Sequence, residues 1–274
     1  MKNMLPLVAA LALAWSSSYT VMANTPLSAT RNPVDVTLFV MSKCPDAMKC
    51  EAVFSKVFQT ENLPPVDPLL SYIGSIERKI TTSTSISSLG DITGAHGGSA
   101  LIGTTTTTTT TTVTCKHGPL ECAGNTQQLC FKKYFSDYRV WVPFVITMNS
   151  WHPVRIGDPN YAREVAERVV KDGDLDNSSL VSLLDKVDDC SKGQEGFDLL
   201  VESIEHTIHH GVGTSCTVFI DDKKRCVIDG GVWRECPEGS TVADFVRSIK
   251  EAALGATRNL MSRRLLRWLS TGDL

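Results

Sequence analysis

Nine cysteines are the residues of this 274-residue chain best suited to covalent chemistry, and Cys44 is the best placed of them. It falls in the run Ser42-Lys43-Cys44-Pro45-Asp46-Ala47. Residues Val34 to Met41, just before it, alternate apolar and other types and are rich in β-branched side chains, which predicts a core strand. After it, Cys50, Val53, Phe54, Val57 and Phe58 recur at helical spacing and form one apolar face. Pro45 suits a first helical turn, and Asp46 suits the positive end of the helix dipole. Cys44 is therefore expected at or just before a helix N-terminus. That setting favours the thiolate, the species that attacks a disulfide. Lys43 adds to the effect and Asp46 works against it. The alternative for Cys44 is a permanent structural disulfide.

A second cluster lies downstream, in Cys115-Lys-His-Gly-Pro-Leu-Glu-Cys-Ala-Gly-Asn-Thr-Gln-Gln-Leu-Cys130. Its fixed positions, Cys115, His117, Gly118, Glu121, Cys122, Asn125 and Cys130, match the pattern C-x-H-G-x-x-E-C-x-x-N-x-x-x-x-C. In this the chain resembles the gamma-interferon-inducible lysosomal thiol reductase family, over about Val34 to Leu254. The resemblance implies an α/β, thioredoxin-like fold with a helical insertion, stapled by disulfides. It also implies thiol–disulfide exchange on disulfide-containing protein substrates, with Cys44 as nucleophile. A thiol donor is needed, but no metal or organic cofactor. The competing class is a non-catalytic, disulfide-stapled secreted scaffold.

One departure bears on mechanism. The family's reductases carry C-x-x-C at the first site, and here Ala47 stands in the place of the second, resolving cysteine. A monothiol site releases its product only when another thiol completes the exchange. Cys50 is the nearest substitute, but six residues of helix separate it from Cys44 by roughly 9 Å along the axis. A disulfide requires Cα atoms within about 7 Å. Cys50 also lies on the apolar face, so it is expected to be a buried core thiol. Cys216 is the other candidate. Thioredoxin-like folds place a cis-proline beside the active cysteine, just before the third strand, and Ser215-Cys216-Thr217 occupies that place without a proline. Cys216 can face Cys44 as its resolving or disulfide partner, or it can pair with Cys226 or Cys236.

The second cluster reads as structural. If Glu121 to Phe135 is one helix, Cys122 and Cys130 lie about 12 Å apart and cannot bridge each other. Cys115 and Cys122 flank a tight His117-Gly118-Pro119 turn and can close a short loop, while Cys190 suits Cys130. Glu121 and Asn125 look like helix-start and loop-fixing residues. Cys115, His117, Cys122 and Cys130 are also zinc-ligand types, but the spacing lacks a C-x-x-C knuckle and an oxidising compartment favours disulfides.

The surrounding elements follow from periodicity. Val66 to Ile73 reads as a second strand. Residues 80–112 are Ser/Thr/Gly-rich, ending in the nine threonines Thr104 to Thr112. They are expected to be mostly a surface insertion and a candidate for O-glycosylation, with the last threonines forming an edge strand. Helices are predicted over Glu121 to Phe135, Tyr161 to Lys171, Ser179 to Cys190 and Phe197 to His209, a helical insertion spanning about 121–210. A hairpin follows (Thr217 to Ile220, Arg225 to Ile228), then a closing helix over Val242 to Leu254. His206, His209 and His210 have metal-binding helical spacing but read more simply as a solvated helix end.

At the level of the whole chain, Lys2, the apolar run Leu5 to Trp15 and Val21-Met22-Ala23 predict a signal peptide over residues 1–23. This places the mature protein in a secreted, lysosomal or vacuolar lumen. The odd cysteine count leaves at least one cysteine outside intramolecular pairs. Asn177-Ser178-Ser179 is a glycosylation acceptor. A net charge of −3 gives no support to nucleic-acid binding. Residues 255–274 form a basic amphipathic tail, with Met261, Leu265, Trp268 and Leu269 on one face. Such a tail can touch a membrane, though it more often packs on its own domain or frays.

Overall fold

The computed structural model describes residues 32–88, 101–171 and 176–255. The expected signal peptide over residues 1–23 and most of the expected C-terminal tail lie outside these residues.

The first strand, β1 (Val34–Val40), is almost wholly buried and runs into helix α1 (Pro45–Phe58). β2 (Val66–Tyr72) then pairs with β1 in parallel. A βαβ unit of this kind needs a crossover helix, and α1 supplies it. A two-stranded antiparallel ribbon follows, β3 (Ser75–Ser88) and β4 (Leu101–Thr114), paired over its full length from Ser75 opposite Thr114 to Ser88 opposite Leu101. Helices α2 (Pro119–Tyr134), α3 (Tyr138–Ser150), α4 (Pro159–Val170), α5 (Asn177–Lys192) and α6 (Gln194–His209) pack on the core. The chain then returns to the main sheet as β5 (Thr217–Ile220), β6 (Lys223–Asp229) and β7 (Val232–Arg234), with strand order β2-β1-β5-β6-β7. Helix α7 covers residues 242–255.

The threonine run is not a loose insertion but one strand of the ribbon. Its residues from Thr104 to Thr110 are exposed, so this strand is held by its backbone ladder and β-propensity rather than by burial. Among the described residues, the base of the ribbon meets the core through Ile76 of β3 and Val113 of β4. Helix α3 was not expected from the sequence. It contains Pro143 yet buries Trp141, Val142, Phe144, Val145 and Met148. Asp137 caps its start by accepting a hydrogen bond from the Arg139 amide at 2.9 Å.

Candidate active site

β1 and α1 meet at Cys44, which is the N-cap residue of α1 in extended backbone conformation. Its amide donates to the Met41 carbonyl (2.9 Å), closing a tight turn. Pro45 at the first helical position has no N–H to leave unpaired. The remaining first-turn amides point toward the Cys44 side of the helix, the usual place for an anion. Cys44 is only 8 % exposed and is the free cysteine among the described residues. Its thiol donates weakly to the Ser215 carbonyl oxygen, 4.0 Å away. The Ser215–Cys216 peptide is cis, so this non-proline bond occupies the position expected for a cis-proline.

Asp46 does not lie free beside the thiol. Its carboxylate accepts hydrogen bonds from the Gly230 and Gly231 amides (2.9 and 2.7 Å), which ties the first turn of α1 to the β6–β7 turn. Both glycines have positive φ, a conformation other residues adopt only with strain. Ala47, in the place of a resolving cysteine, is fully buried.

The sequence reading of Cys50 and Cys216 needs correction. Cys50 is fully buried, but not as a free thiol. It is bonded to Cys216, 166 positions further along the chain, with Cα atoms 6.2 Å apart. Cys216 therefore pairs with neither Cys44, Cys226 nor Cys236. The reason is placement: the loop before β5 sets Ser215 opposite the mouth of α1 and Cys216 opposite its second turn. Cys226 and Cys236 pair with each other across the β6–β7 end of the sheet, with Cα atoms 4.6 Å apart.

The second cluster buttresses this site. Cys115 and Cys122 are bonded to each other, as are Cys130 and Cys190. These bonds occupy all three sulfurs that the zinc reading required. The remaining zinc candidate, His117, is joined through both its backbone amide and its Nδ1 to the buried carboxylate of Glu121. Gly118 takes φ +88 just before α2. Asn125, fully buried, accepts a hydrogen bond from the Ser42 amide (3.0 Å) and lies 3.9 Å from the Cys115 sulfur. The Ser42 hydroxyl donates to the Glu121 carbonyl (3.3 Å). A Cβ at Gly124 would stand 2.8 Å from the Ser42 hydroxyl and 2.4 Å from Ile156, so glycine there permits α2 to approach the loop this closely. The signature thus grips the chain two residues before Cys44.

Sequence reasoning missed Glu51, next to Cys50. Its carboxyl is buried, and burial raises its pKa from 4.5 to about 8 despite a hydrogen bond from Asn149 Nδ2 (2.7 Å) that works the other way. One of its oxygens has no partner among the described residues. Asn149 in turn accepts from Gln128 Nε2 (2.7 Å), and Gln128 accepts from the Tyr72 hydroxyl (2.5 Å). The available signal was a carboxylate four residues after Ala47, on the buried side of α1.

The histidine set belongs to packing. His206 hydrogen-bonds the Ser71 hydroxyl (2.9 Å) and stacks on Phe39, and His210 lies against both rings. Asn177, exposed in the first turn of α5, follows the cap residue Asp176.

A strand delivering a cysteine to a helix N-terminus, a parallel second strand, a helical insertion and an antiparallel return beside a cis peptide define the thioredoxin-like class. Within that class, residues 35–160 match the family described as Gamma interferon inducible lysosomal thiol reductase (GILT). This segment, which holds Cys44 and every signature residue, is similar to that family. The chain is also similar to three solved structures. The oxidoreductase DsbA from Xylella fastidiosa shares 9 % identity, covering 83 % of this chain and 87 % of that one, with a TM-score of 0.43. For the oxidoreductase NmDsbA1 from N. meningitidis the values are 11 %, 84 %, 86 % and 0.43. For alpha-DsbA1 from Wolbachia pipientis they are 13 %, 83 %, 89 % and 0.43. No curated protein matches the chain.

Proposed function

We propose that this protein is a thiol–disulfide oxidoreductase that acts on protein disulfides in an oxidising lumen, with Cys44 as its nucleophile. The observation that carries the reading is the free Cys44 at the N-terminus of α1, among described cysteines that are otherwise all paired. A structural role would leave no reason to keep one thiol at the position where a helix dipole favours the attacking anion. Four disulfides support an oxidising compartment, either secreted or lysosomal, and the exposed sequon at Asn177 agrees with that route. The substrates are disulfide-containing proteins, and a small thiol supplies the electrons.

The competing scaffold reading draws on Ala47 and on the near-burial of Cys44. Reduction of a denatured disulfide protein with a limiting small thiol separates the two. Cys44→Ser is expected to abolish the catalysed rate. Equal rates for wild type and Cys44→Ser would leave the scaffold.

A further inference from the structure

The missing second cysteine of the site leaves open how a mixed disulfide on Cys44 is released. We infer that the Cys50–Cys216 pair is the redox store of the site, reached only through Cys44, so that three cysteines do the work of a C-x-x-C pair. The inference rests on Cys44 being the nucleophile.

Three observations carry it. Cys50 and Cys216 are both fully buried, so neither meets an external disulfide or thiol directly, whereas Cys44 retains 8 % exposure. The Cys44 thiol touches the carbonyl of Ser215, the residue bonded to Cys216, so the same loop serves the nucleophile with one residue and the buried disulfide with the next. The Ser215 hydroxyl, in that same loop, is buried without a partner among the described residues, leaving a donor for sulfur anions formed there. Cys50 lies too far along α1 to bridge Cys44 itself, by roughly 9 Å of helix. Cys216, facing α1 from the opposite loop, is the intermediary between them.

The exchange balances as follows. The Cys44 thiolate attacks one sulfur of the substrate disulfide, whose other sulfur leaves as a thiolate. The Cys216 thiolate then attacks the Cys44 sulfur, releasing the second substrate thiolate and forming Cys44–Cys216. Finally the Cys50 thiolate attacks Cys216, closing Cys50–Cys216 and returning Cys44 as a thiolate. The substrate disulfide gains two electrons, and its two sulfurs take up the two protons given up by Cys50 and Cys216. A thiol donor resets the store through the same steps reversed: Cys44 reopens the buried disulfide, and two donor thiols leave as the donor disulfide.

The full chain, mildly reduced and freed of reductant, can be mixed with one equivalent of oxidised glutathione, quenched by alkylation and mapped by mass spectrometry. The wild type is expected to release two glutathione thiols per protein, carry no adduct and close Cys50–Cys216. Cys216→Ser should release one thiol and hold one glutathione on Cys44. Cys50→Ser should stop at a Cys44–Cys216 bridge, and Cys44→Ser should lose closure. A wild type that itself stops with one glutathione on Cys44 overturns the relay while leaving Cys44 as nucleophile. Closure of Cys50–Cys216 in Cys44→Ser at the wild-type rate also overturns it. No adduct in Cys216→Ser together with no closure in wild type removes the nucleophile itself. If a variant fails to fold, a wild type that releases fewer than two thiols still overturns the relay, and wild type alkylated at Cys44 beforehand replaces Cys44→Ser. In a variant with Ala47→Cys, turnover should no longer depend on Cys216.

Discussion

Asn125 connects the cysteine signature to the turn that carries Cys44 through a single side chain. Its amide oxygen is the acceptor for the buried Ser42 N–H, and its amide nitrogen faces the Cys115 sulfur. Asn125→Ala would strand that amide away from water, at a cost of about 1–3 kcal/mol. It would also free the Ser42-Lys43 turn that presents Cys44. The expected outcome is a lower urea midpoint together with slower alkylation of Cys44 in the folded protein. Unchanged alkylation beside a lowered midpoint would confine Asn125 to stability. The spacing of the signature was fully legible, but its purpose was not. The sequence marks Asn125 as loop-fixing without saying that the loop it fixes lies 83 residues upstream.

At the scale of elements, the β1–Cys44–α1 unit was legible because hydrophobic periodicity changes from two to 3.6 at the cysteine. Helix α3 was hidden because Pro143 interrupts a stretch that is apolar on nearly all sides, so neither a breaker nor a period marks it. The Cys50–Cys216 bond was hidden for a different reason: connectivity between distant cysteines is set by the fold rather than by spacing. The ribbon was half visible. Threonine content announces a strand, but nothing in Ser75–Ser88 marks it as the partner. Its pairing makes a definite prediction. Thr81 lies opposite Thr108, so residues 81–108 can be removed together and closed by a two-residue Asn-Gly turn. Because the described part of this section is exposed, the melting temperature should move by no more than about 5 °C. A larger fall would show that the outer ribbon supports the core.

For the molecule as a whole, Glu51 contributes a pH dependence of definite sign. Its carboxyl titrates at about 8 in the folded protein, against the ordinary 4.5. Between those values the folded state holds a proton that the unfolded chain has released. The stabilisation is therefore complete below about pH 4.5 and declines as the pH rises toward 8. Urea midpoints should fall from pH 5 to pH 8 in the wild type and fall less in Glu51→Gln; parallel declines would discard this account. The ribbon has a consequence of another kind. In most strands, gaining or losing a residue moves every side chain beyond it to the wrong face. In Thr104–Thr112 each such shift sets threonine where threonine stood, and Thr104 to Thr108 lie opposite the small hydroxylated residues Thr81 to Ser85. Drift in the length of this homopolymeric tract is therefore close to structurally silent, so related chains can differ in threonine number while Cys115, just beyond it, keeps its place.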